Sequence, residues 1–112
     1  MTDSLFPFQK LDAYNIAKQL AVAVHEAKVG NAELRDQATR AATSAFLQLS
    51  EGLPNDSPAM RKRYFTIARN SLCEVVAAID LAQAIGAVRH ERAAEIAALA
   101  LRMRCILVAL LR

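Results

Sequence analysis

The chain has no tryptophan and only three glycines, and aromatic residues make up 5% of it. Alanine and leucine dominate instead, a composition that suits packed helices rather than sheets. Two cysteines are present, Cys73 and Cys105, both inside helical patterns and without CxxC spacing. Each reads as a small buried hydrophobe in a reducing compartment. No stretch approaches about 18 charge-free apolar residues, so no membrane span is expected. The start, Met1-Thr2-Asp3-Ser4, lacks a basic region and an apolar run. No signal peptide is expected there, and the cytoplasm is the default location.

Signatures of chemistry are also scarce. A di-iron bundle needs Glu-x-x-His on two helices, and neither His25 nor His90 has a glutamate three residues before it. Both fall near one end of an up-down bundle, without a carboxylate or cysteine cluster in sequence to complete a metal site. The serines show no nucleophile elbow, and nothing matches a phosphate loop or a dinucleotide fingerprint. The expectation is a non-enzymatic protein with no catalytic residues, no metal and no cofactor.

What is present is helical periodicity. One domain of 112 residues buries about two-thirds of its unfolded surface, so the core is modest. The chain is organised around residues 34–81, two long helices folded back about Gly52-Leu53-Pro54-Asn55-Asp56-Ser57-Pro58. Gly52 fits a C′ position, Ser57 an N-cap and Pro58 the first helical position. The spacing predicts helices over about 10–28, 32–51, 58–85 and 89–111, with an arm over 1–9 docked through Phe6 and Phe8. Lys28 suits the end of the first helix, Gly30-Asn31 stops it, and Gly86 stops the third. Connections this short force antiparallel neighbours, which gives an all-α, up-down-up-down four-helix bundle.

The apolar positions assign the core. Helix 1 offers Leu11, Ala13, Tyr14, Ala17, Leu20, Ala21 and Val24. Helix 2 offers Leu34, Ala38, Ala41, Ala45 and Leu49, a face of small residues that admits a close neighbour. Helix 3 carries Phe65, Ala68, Leu72, Val75, Ile79 and Ala82, with a second stripe of Ile67, Ala78, Leu81 and Ile85. From Ile96 to Arg112 the only polar residues of helix 4 are Arg102, Arg104 and Arg112. A monomeric bundle keeps one solvated face per helix, so this surplus predicts a second buried surface and a homo-oligomer.

Two polar groupings stand out. Pairing the arms about the turn sets residue 40 level with 71 and residue 37 with 74. Arg40 then meets Glu74, with Gln37, Ser44 and Ser71 alongside. This reads as a structural network that fixes helix register, and the alternative is an anion or acid–base site. The second grouping is Arg61-Lys62-Arg63, in the first turns of helix 3, where the helix dipole disfavours cations. With Arg69 further along that side, it forms a basic collar suited to nucleic-acid phosphates. A solvated helix end, offset by Glu51 and Asp56, accounts for the same residues. The net charge of +3 agrees with either.

These patterns together resemble the bacterial 23S rRNA intervening-sequence protein family, which includes relatives of the accessory variability determinant of diversity-generating retroelements. The start Phe8-Gln9-Lys10-Leu11-Asp12-Ala13-Tyr14 before Ala17 is similar to the family's. So are Leu34, Gln37, Arg40, Ala41, Ser44, Glu51 and Gly52 in the second helix, and Phe65, Ala68, Ser71, Leu72 and Glu74 in the third. Gln48 and Leu49 stand where the family commonly has Asn and Ile, and Asn70 replaces a small residue. The resemblance implies a ring, a homopentamer in known relatives, and attaches no enzymatic activity. In the retroelement relatives a basic surface binds nucleic acid and a reverse transcriptase. The leading expectation is an oligomeric bundle that binds structured RNA or DNA through Arg61, Lys62, Arg63 and Arg69. The alternative is a protein-interaction adaptor that uses the apolar face of helix 4.

Overall fold

The computed structural model describes residues 5–112. The leader reading at residues 1–4, and that part of the docked arm, lie outside the described residues. Among the described residues there are four α-helices and no strand: α1 Asp12–Glu26, α2 Ala32–Gly52, α3 Pro58–Ala84 and α4 His90–Leu110. A short 3-10 turn, Pro7–Lys10, precedes them.

Local chemistry sets the boundaries. The Asn31 side chain accepts the Leu34 N–H at 2.9 Å and caps α2. Ser57 caps α3 in the same way from the Met60 N–H, and Pro58 follows at the first helical position. Gly86, at φ 75°, ends α3 with a paired closure: its N–H reaches Gln83 O, and the Ala87 N–H reaches Ala82 O at 2.7 Å. That is the Schellman arrangement, and it favours glycine because a Cβ resists positive φ.

Two helix ends differ from expectation. The chain leaves α1 through Lys28, which takes the left-handed conformation at φ 52°, one residue after the Ala27 cap. Gly30 instead sits against the neighbouring connection, donating to Ala87 O at 2.6 Å. Gly52 lies inside α2, with Leu53 as the cap, so it is not the C′ residue expected. Its lack of a side chain serves packing, because an added Cβ would stand 2.6 Å from Phe65 Cε1.

The helices pack in cyclic order, α1 on α2, α2 on α3, α3 on α4 and α4 on α1, with α2–α3 the most extensive pair. Small residues explain that dominance: Ala38, Ala41, Ala42 and Ala45 of α2 and Ala68, Ala78 and Ala82 of α3 are all buried. Phe65, Leu72, Val75 and Ile79 fill the space around them, joined by Leu20, Ile96, Met103 and Leu107 from the other two helices. Each such large side chain contributes about 1.5–3 kcal/mol when fully buried. Tyr14 of α1 meets Phe46 of α2, Gly52 meets Phe65, and Lys62 shares a recess with Leu111. These pairings bring the start of α1, the end of α2, the start of α3 and the end of α4 together. They are compatible with the up-down-up-down course.

Several expected core positions are not core. Leu11 is exposed and serves as the cap before α1, whereas Ile16, outside the expected stripe, is buried. Leu81 and Ile85 of the second α3 stripe are exposed, and Ile67 is half-buried. Both cysteines are exposed, which corrects their reading as buried hydrophobes. The hydrophobic pattern of α3 and α4 exceeds what one bundle can cover, so some of it faces outward.

Candidate nucleic-acid and assembly surfaces

The structure treats the three members of the basic run differently. Arg61 is half-buried and folds back over the end of α2. Its Nη1 donates to the carbonyls of Leu53 at 2.7 Å and Gly52 at 3.0 Å, and more weakly to that of Asn55 at 3.4 Å. Its guanidinium carbon lies 5.1 Å from the centre of the Phe65 ring. These carbonyls are the negative end of the α2 dipole, which offsets the unfavourable position of a cation at the start of α3. Arg61 therefore stabilises the α2–α3 turn, and its placement needs no anion. Arg35 acts similarly one connection earlier, donating from Nη1 to Val29 O at 3.1 Å.

Lys62 and Arg63 are exposed, and among the described residues neither has a carboxylate within salt-bridge distance. The two ion pairs among those residues, Arg89–Glu91 and Arg92–Glu95, both join residues near the start of α4. Beside Lys62 lies a shallow recess of about 300 Å³, lined also by Pro58, Arg61, Leu111 and Arg112. Arg69 lies about two turns on from Lys62 along the same side of α3. It borders a groove of about 420 Å³ between α3 and α4, with Arg104 and with Cys73, Val76, Ala97 and Leu101. The sequence placed Arg69 with the collar but did not single out Arg104, which lines the same groove. The signal available was the shared apolar surplus of α3 and α4, which places the two arginines beside one groove.

The expected network of Gln37, Arg40, Ser44, Ser71 and Glu74 is mostly not formed. Gln37, Arg40 and Glu74 are exposed, and no Arg40–Glu74 ion pair exists among the described residues. What remains is one hydrogen bond, Ser44 Oγ to Ser71 Oγ at 2.8 Å, with Ser71 only 7% exposed. Residue 71 thus faces 44 rather than 40, a shift of about one helical turn. Close helix approach at the alanines leaves room in the seam only for short hydroxyls. Gln48 is half-buried, and among the described residues its Oε1 has no hydrogen-bond partner.

No group of three or more His, Cys, Asp or Glu among the described residues is placed to hold a metal ion. His25 Nδ1 lies 2.8 Å from Ala21 O, and His90 Nδ1 lies 2.7 Å from Gln83 Nε2. No helix among them is long and apolar enough to cross a membrane.

Among the described residues the protein is a four-helix bundle with an apolar groove between α3 and α4 and exposed cations without carboxylate partners at the start of α3. The family follows from sequence: the chain belongs to the 23S rRNA-intervening sequence protein family, whose model matches residues 9–109. None of the curated proteins matches the chain.

Proposed function

We propose that this protein is a non-enzymatic, self-associating bundle that binds structured RNA, or DNA of similar charge density, through the start of α3. The observation that carries this reading is the exposure of Lys62 and Arg63 without carboxylate partners among the described residues. Cations so placed neutralise phosphates without first breaking a protein ion pair. The family's name ties it to an intervening sequence of 23S rRNA, which favours RNA as the polyanion. Self-association uses the α3–α4 groove, where Leu101 is 62% exposed and Val76 46%. Repetition of the basic end around an assembly, a pentameric ring in this reading, multiplies a weak single contact. The cytoplasm is the compartment that suits such a partner.

Binding of a structured RNA across a salt series tests this. Affinity should fall steeply with salt, and Lys62→Ala with Arg63→Ala should flatten the log–log slope by about 0.7–0.9 per phosphate contact removed. Arg61→Ala is not an equivalent probe, because it also disturbs the α2–α3 turn. Unchanged affinity and slope in the double variant would falsify the assignment.

The same groove supports a second reading, an adaptor for another protein, which for a retroelement relative would be a reverse transcriptase. A single-chain mass in solution, with the groove left free, would favour the adaptor over self-association.

A further inference from the structure

At the basic end of the bundle, four aromatic rings form a continuous chain. Phe6 stacks on Phe8 with centroids 6.0 Å apart and planes within 17°. Phe8 meets Tyr14 edge-on at 5.4 Å, and Tyr14 meets Phe46 at 5.1 Å. The inner rings have a packing role, fastening the 3-10 turn to α1 and α2. Phe6 does not share it. It is the outermost ring and 67% exposed.

The position of Phe6 is nevertheless fixed. Its N–H donates to Gln9 Oε1 at 2.8 Å, and its carbonyl accepts from the Gln9 N–H at 3.0 Å. Asn15 Nδ2 holds the next carbonyls, Gln9 O at 3.2 Å and Leu11 O at 3.1 Å. The ring is thus presented on a braced segment, and little ordering entropy remains to be lost on binding. Two exposed cations belong to the same stretch: Lys10 ends the 3-10 turn, and Lys18 holds its Nζ 5.4 Å from the Tyr14 centroid.

We infer that Phe6 is a stacking platform for an unpaired nucleobase, with Lys10 of the same 3-10 turn and Lys18, over the Tyr14 ring further along the chain of rings, supplying positive charge for adjoining phosphates. This rests on the RNA reading above and adds to it a preference for nucleic acid with unpaired bases. An aromatic face next to lysines matches the mixed chemistry of a single-stranded nucleotide, a flat π-surface joined to a negative charge. A second copy of the chain is a poorer occupant. Among the described residues 5–11 the exposed large apolar residues are Leu5, Phe6 and Leu11, and the lysines beside them would meet the same positive charge on a second copy.

The experiment compares a blunt RNA duplex with the same duplex bearing a short unpaired adenosine tail, using the full chain. The tail should raise wild-type affinity by about tenfold, within the range of one base–aromatic stack. Phe6→Leu keeps the apolar bulk without the π-face, so it should erase the tail advantage and leave blunt-duplex affinity unchanged. Phe6→Trp introduces the only tryptophan of the chain, and its fluorescence should be quenched by the tailed RNA and not by the blunt one. If the blunt duplex binds and the tail adds nothing, or Phe6→Leu keeps the advantage, the stacking inference is overturned and the electrostatic reading stands. If Phe6→Leu weakens the blunt duplex equally or lowers the oligomer mass, the ring serves the fold or a self-contact, and the inference is again overturned. Failure of the wild type to bind either RNA overturns both readings.

Discussion

Gly52 and Phe65 compete for one volume: a Cβ on Gly52 would stand 2.6 Å from Phe65 Cε1 and 2.9 Å from Cδ1. Phe65 is 1% exposed, so its ring has little room to retreat. The glycine in the last turn of α2 is therefore a packing device that lets the first large core residue of α3 lie against the α2 backbone. Gly52→Ala is expected to destabilise the protein by about 1–3 kcal/mol, the usual cost of overpacking, despite alanine's better helix propensity. Urea unfolding measures this. Adding Phe65→Leu should recover part of the loss attributable to the clash, and strict additivity of the two changes would argue against it.

Arg61 gives a contrast within three adjacent residues. Its hydrogen bonds to the α2 carbonyls and its position over Phe65 predict a loss of about 1–3 kcal/mol for Arg61→Ala. Lys62→Ala and Arg63→Ala should each stay within about 0.5 kcal/mol, as exposed side chains without partners usually do. Equal thermal stability of all three variants would refute the structural role of Arg61.

The Ser44–Ser71 bond crosses the α2–α3 seam where Ser71 is buried. Removing one hydroxyl strands the other, so either single alanine variant should cost about 1–2 kcal/mol. Replacing both with alanine should cost less than the two single changes together. A double-mutant cycle closing with no coupling energy would mean that each hydroxyl finds water instead.

The α3–α4 groove makes a prediction about assembly. Leu101→Glu places a charge on the exposed apolar face, where a second copy would have to desolvate it. In the self-association proposed above, the mass by sedimentation should fall from that of a multimer toward the 12.2 kDa of a single chain, with helix content unchanged. Persistence of the assembly would move the interface elsewhere on the surface.

Much of the architecture was legible in the sequence. The caps at Ser57 and Gly86, the proline at the first position of α3, and the stripe Phe65, Ala68, Leu72, Val75, Ile79 and Ala82 all appear as read. These features depend on backbone chemistry within a few residues, or on a periodicity that one helix carries by itself. The family match over residues 9–109 likewise covers all four helices.

The sites were less legible, because each depends on what lies across a seam. A charge count makes Arg61, Lys62 and Arg63 equivalent, and only the nearby end of α2 separates the first from the other two. Likewise, Arg40 and Glu74 have the spacing of an ion pair, but a shift of about one turn leaves both in solvent. The exposed cysteines follow the same logic, for burial depends on whether a neighbouring helix arrives, not on the residue's own hydrophobicity.

The sequence by itself determined four helices, the starts of α2 and α3, the stop of α3 at Gly86 and the main inward stripe of α3, because helix formation and capping are local. Only the tertiary structure decided the α2–α3 register, the capture of Arg61 by the preceding helix, the packing role of Gly52 and the outward exposure of Phe6. Those outcomes depend on distances between residues far apart in the chain. For the α2–α3 seam they are set by how closely small side chains allow two helices to approach.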